Sequence, residues 1–133
     1  MGQPAAKRND QVVATDVHIV MVPAGPSLVP TPLPHVFTGM LNGGLAATVN
    51  IAGQPAATVN STADNAPAHI PTPPGTTFQR PPSNQATVMN GSATVRIGGQ
   101  AAARVGDPCL TCNDPSDLPA GTIVGGGTVL VGG

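Results

Sequence analysis

The chain has 133 residues, a formal charge of −1 and only 8% charged residues. A nucleic-acid surface needs a basic face, and the five Lys and Arg residues here are scattered, so that class is excluded. With no Trp, no Tyr and two Phe, a base-stacking platform is excluded as well. Gly and Pro make up about a quarter of the residues, a disorder-prone share. Yet 40% of the chain is hydrophobic, and its Val, Ile and Thr residues fall into short alternating runs, which disordered chains lack. The apolar residues are mostly Ala and Val, so the expected core is thin and gains from a staple.

In chain order the first element is "GQPAA" at Gly2–Ala6, directly after Met1. No apolar stretch follows it, so synthesis in the cytosol without a signal peptide is expected, with Cys109 and Cys112 reduced. No run is long enough for a membrane-spanning helix. A Pro-rich stretch, Met21 to Gly39, reads as a stiff, ordered strap. "ATVNIAGQPAA" (Ala47 to Ala57) reads as a strand, a tight turn and a second short strand. A second strap runs from Ile70 to Gln85. It shares a pattern with the first, "VPTPLPHVF" against "IPTPPGTTF", which puts Phe37 and Phe78 in matching places. "ATVRIGGQAAA" (Ala93 to Ala103) repeats the hairpin. Helix is expected at most as a single turn near Asp114 to Leu118. The chain closes on "GTVLVGG" (Gly127 to Gly133).

These elements are one repeat written three times. Thr48-Val49-Asn50-Ile51, Thr94-Val95-Arg96-Ile97 and Thr128-Val129-Leu130-Val131 align, each followed by a small-Gly pair. Gly53 and Gly99 suit a turn with positive φ. After Gly132-Gly133 a "GQPAA" is due, and the chain begins with it. The third repeat is therefore shared between the termini, which predicts pseudo-threefold symmetry within one chain and pairing of its two ends.

The repeat phase also selects polar residues. His18 and His69 each stand sixteen residues after a repeat glycine, Gly2 and Gly53. In the third copy, a loop shorter by three residues puts Cys112 in the equivalent place. Threefold symmetry then gathers His18, His69 and Cys112 near the axis. His35 is the remaining histidine and supplies a fourth ligand. Three imidazoles and a thiolate suit a closed, structural zinc site. Cys109 competes with Cys112 through "CLTC", although the βαβ setting of redox C-x-x-C motifs is missing. We favour Cys112. No G-x-S-x-G elbow or phosphate loop occurs. Asp10 and Asp107 share a repeat position that Ser61 fills in the second copy, which suits turn caps better than acid–base catalysis.

Pro4-Ala5-Ala6-Lys7, Pro55-Ala56-Ala57-Thr58 and Ala101-Ala102-Ala103-Arg104, with "ARVGD", the Thr-Val strands, the histidines and the late cysteine, resemble the PAAR-repeat family. Only the third copy has the arginine, and it lacks the proline. The resemblance covers essentially the whole chain. It implies an all-β fold, a small cone of short β-hairpins with pseudo-threefold symmetry, Pro-rich straps and a metal-stapled apex. It implies one structural zinc held by His18, His35, His69 and Cys112. It further implies a non-enzymatic tip on the trimeric β-helical spike of a contractile injection system, one tip per trimer, in transient contact with a target membrane. The straps look more like tips of extracellular phage-tail-like particles than those of type VI secretion. Residues 1–133 are expected to be a single cone domain with no fused effector. The alternative functions are an adaptor that carries cargo or effector proteins, and a zinc hydrolase, which needs an open metal position.

Overall fold

The structure is a computed structural model that describes residues 2–132; Gly133, the last residue of the expected terminal Gly pair, lies outside the described residues. Its strands are β1 (Gln3–Pro4), β2 (Gln11–Ala24), β3 (Ser27–Gly43), β4 (Asn50–Ile51), β5 (Gln54–Pro55), β6 (Thr62–Asn65), β7 (Thr77–Phe78), β8 (Gln85–Val88), β9 (Arg96–Ile97), β10 (Gln100–Ala101), β11 (Pro108–Thr111), β12 (Leu118–Val124) and β13 (Leu130–Val131). The fold is all-β. Among the described residues there is no helix: Asp114 to Ser116 bends into β12 without a helical turn.

The small hairpins show the repeat directly. β4 pairs with β5, β9 with β10, and β13 with β1, all antiparallel. The register is the same in each: Ile51 faces Gln54, Ile97 faces Gln100 and Val131 faces Gln3. The turn glycines Gly53 and Gly99 both have φ of +83°, a region closed to most side chains. Inside the ring of hairpins the backbone closes a triangle. The N–H of Ala6 donates to Ala103 O, that of Ala103 to Ala57 O, and that of Ala57 to Ala6 O, at 2.9–3.0 Å. The bridges Ala5–Arg104, Thr58–Ala102 and Lys7–Ala56 repeat the same relation. Small side chains suit this place because three segments of the chain meet at the axis; Ala5, Ala6, Ala56, Ala57, Ala102 and Ala103 are all buried.

Each repeat then turns on a cap. Asp10 accepts the N–H of Lys7, Asp107 accepts that of Arg104, and Ser61 Oγ accepts that of Thr58, at 2.7–3.0 Å. Asn9, Asn60 and Gly106 occupy the positive-φ position of these turns.

Beyond the caps, a sheet of order β12-β11-β8-β6-β3-β2-β7 closes on itself, because β12 also pairs with β2. Six strands thus enclose a core of Val12, Phe37, Leu41, Ala63, Ala86, Val88, Cys109 and Ile123, with β7 added to the outer edge of β2. Closure removes most of the sheet edges that an open sheet exposes.

The first expected strap differs. Met21 to Gly39 forms the end of β2, the turn at Gly25 (φ +60°) and Pro26, and most of β3, in a β2–β3 hairpin with 14 cross-strand pairs. Glycine in the first central position suits a type II′ turn. The prolines do not break the ladder because Pro30, Pro32 and Pro34 recur at every second residue. Their nitrogens all face the outer edge of β3, where no ladder donor is needed. The second stretch does behave as a strap. It follows an irregular path from Ile70 to Gln85, pairing with β2 through β7 and the flanking N–H groups of Thr76 and Gln79. The two Phe therefore part company: Phe37 is fully buried in the core, whereas Phe78 lies half-buried beside His18 and His35.

Candidate metal centre

A strand places every second residue on one face. Along β2 the inward face carries Val12, Asp16, His18 and Val20, all buried. Asp16 pairs across with His35 on β3. Cys112 follows directly on β11. His69 is set by its own backbone N–H, which donates to Asn84 Oδ1 at 2.8 Å. These routes bring together His18, His69 and Cys112, the three residues picked out by the repeat phase, with the ring of His35 beside them.

Ligand atoms of Asp16, His18, His69 and Cys112 lie within 4.8 Å of one another. The rings of His18, His35 and His69 form a near-equilateral triangle, with centroids 5.1, 5.4 and 5.5 Å apart. His35 stands slightly apart in its bonding. Its Nε2 accepts the N–H of Thr72 at 3.2 Å, which makes Nδ1 the donor to Leu33 O at 2.9 Å.

Asp16 is the group that the repeat phase missed. Its Oδ1 accepts from Thr111 Oγ1 at 2.6 Å and from Asn113 Nδ2 at 3.4 Å. Its Oδ2 faces His69 Nε2 at 2.9 Å and Cys112 Sγ at 3.5 Å. Asp16 has no acidic counterpart in the second copy, where Pro67 stands, so symmetry could not reveal it. The signal that could was "DVH": two residues apart on a strand, Asp16 and His18 share a face. Asp114 stands nearby, its Oδ2 3.6 Å from His18 Nδ1. Burial alone would raise its pKa. Hydrogen bonds from the Ile19 N–H and from Arg80 outweigh that and hold it below the usual carboxylate range.

Desolvation lowers the pKa of His18, and the same cause lowers that of His35, so both favour the neutral imidazole that a metal needs. Burial, with Asp16 adjacent, pushes the Cys112 thiol up to about 11. Cys109 is pushed up to about 12 by burial. It faces Val88 and Gly121 inside the core and is not among the clustered donors.

The donor set fits a metal on one further observation. Both ring nitrogens of His18 are buried without a hydrogen-bond partner. An orphaned buried polar atom costs about 1–3 kcal/mol, and a cation would relieve it. Two imidazoles, a thiol and a carboxylate are the ligand types of zinc. When bound, such an ion in a closed set of four donors supplies cross-linking rather than an open position for chemistry. His18, His69, Cys112 and Asp16 can thus hold a metal ion, with His35 beside them.

No curated protein matches the chain. The family model of the PAAR motif matches residues 79–133, which span the third repeat hairpin, Cys112 and the C-terminal strand. That motif marks spike-tip-associated proteins of secretion and injection systems, a family structural rather than catalytic. Residues 79–133 thus match the PAAR motif, and this match supports the likeness of the chain to the PAAR-repeat family.

Proposed function

We propose that residues 1–133 act as a single, non-enzymatic cone domain that caps the end of a trimeric β-helical spike in a contractile injection system, one copy per trimer. The observation that carries this reading is the closed hydrogen-bond triangle of Ala6, Ala57 and Ala103. A single chain with three equivalent edges can meet three identical subunits without a symmetry mismatch. The hairpin ring is the face that would meet them. Its inward residues Ile51, Ile97 and Val131 are alike, and Val129 and Leu130 are 44% and 59% exposed. A spike end seated there would cover these strands.

In this reading zinc staples the other end through His18, His35, His69 and Cys112, the three rings surrounding one point. A second reading of the fourth donor has its own support: His35 keeps both nitrogens occupied, while Asp16 Oδ2 already faces two of the ligands. Either set offsets a core built largely of Ala and Val. The test is co-elution of the purified chain with its trimeric spike protein, with zinc measured in the complex. Binding lost in Leu130→Asp while the zinc is kept supports the reading. No binding by the intact, zinc-loaded chain sinks it.

A further inference from the structure

The far end of the β2–β3 hairpin projects beyond everything packed against it. The last residue of β2 with a neighbour on its outer edge is Met21, which pairs with Thr77 and accepts the N–H of Thr76. Past it stand three further cross-strand pairs, Val22–Val29, Pro23–Leu28 and Ala24–Ser27, and the Gly25-Pro26 turn. At about 3.3 Å per residue this arm reaches about 10 Å further.

Its chemistry is uniform. No Asp, Glu, Lys or Arg occurs between Asp16 and Asp64. Val22 and Val29 sit on one face of the arm, Pro23 and Leu28 on the other; Leu28 is 53% exposed and Val29 46%. A groove on a protein covers one face of a ribbon, whereas this arm carries large apolar side chains on both faces and no charge, with Ser27 at the turn as its one polar side chain beyond Met21. Its edges are also short of donors. Val17, Ile19 and Met21 turn their backbone groups to the outer edge of β2, as their bonds to Asn113, Asp114, Gln79 and Thr76 show. Their partners Pro34, Pro32 and Pro30 therefore face the outer edge of β3, and none has an N–H. Pro23 removes the matching donor from β2. Such an edge cannot recruit an added strand, which needs main-chain donors. The arm's outward carbonyls stay unpaired, so the edge suits the headgroup–acyl boundary, where water still reaches them, rather than bare hydrocarbon.

We infer that the arm from Met21 to Pro30 is a lipid-contacting element that inserts its tip at the headgroup–acyl boundary of a bilayer leaflet. Its reach matches the 5–10 Å depth of interfacial segments. The inference goes beyond the proposed capping role, and its place at the particle tip rests on that reading. Its lipid affinity rests on the arm alone.

The test is flotation of the full, zinc-loaded chain with neutral phosphatidylcholine vesicles. The expected result is co-flotation that added salt does not weaken, with a loss of about tenfold or more in Leu28→Asp/Val29→Asp. Both residues are exposed, so an unchanged cooperative thermal unfolding transition certifies that the variant is folded. The inference is overturned if the parent chain does not float, if the double variant floats equally, or if binding needs anionic lipid and vanishes with salt. It is also overturned if the arm instead holds two copies of the chain together, seen as a dimer mass lost in the variant without vesicle binding. Spike binding is read in a separate experiment, so failure here leaves the capping proposal standing, and failure there leaves this one.

Discussion

Gln3 lies opposite Val131 in the same register that sets Gln54 opposite Ile51 and Gln100 opposite Ile97. The first and last strands therefore form the third hairpin of the ring, and the N-terminal residues are structural. Deleting Gly2 to Asp10 removes β1, the Ala6 side of the triangle and the Asp10 cap together, and cooperative unfolding should be lost. A milder probe is Ala57→Leu, where the axis has no room. Overpacking there should cost about 1–3 kcal/mol in denaturant unfolding. A cooperative deletion variant of parental stability would refute the ring's role.

The caps look interchangeable but are not. Ser61 Oγ accepts the Thr58 N–H and also donates to Gly44 O at 2.9 Å, while fully buried. An aspartate there could accept but not donate, and its charge would face a carbonyl. Ser61→Asp should therefore destabilise by about 2 kcal/mol or more, although it restores the residue type of the other two copies. Asp107→Ser should cost about 1 kcal/mol, since it keeps an acceptor and loses only the contact to the Arg104 guanidinium. Thermal unfolding of both variants checks the order.

The two cysteines should separate cleanly. Cys112→Ser should lose the metal and lower the melting temperature, whereas Cys109→Ser should keep one metal per chain. Zinc analysis with calorimetry reads both. The pH dependence follows from the Cys112 thiol, pushed up to about 11 by burial beside Asp16. At neutral pH the thiol holds its proton until metal displaces it, so the apparent affinity should fall about tenfold for each unit of acidification. Competition with a chromogenic chelator between pH 6 and 8 measures the slope, and a flat profile would rule out a thiolate ligand.

The fourth donor is set by comparing His35→Ala with Asp16→Asn. With His35 as ligand, its alanine variant weakens zinc by the larger factor and shifts the visible spectrum of the cobalt-substituted protein. With Asp16 as ligand, the asparagine variant does both, because the amide keeps the contact to Thr111 but loses the charge.

The repeat phase carried much of this structure. The hairpins, the positive-φ glycines, the caps and the gathering of His18, His69 and Cys112 all follow from positions counted from Gly2, Gly53 and Gly99. What breaks the symmetry was harder to read. Asp16 exists in one copy only, so no repeat flagged it. The long β2–β3 arm was hidden because prolines usually argue against strands. Here their alternate spacing turns every imide nitrogen to one edge. Phe37 and Phe78 matched in local sequence, yet one lies in a long strand and the other in a two-residue one, since strand length depends on partners far away in the chain.

The central claim is that one pseudo-threefold chain serves one threefold partner. Native mass measurement of the chain bound to its trimeric spike protein tests it most directly. One copy per trimer is the predicted result, and three copies per trimer would contradict the account.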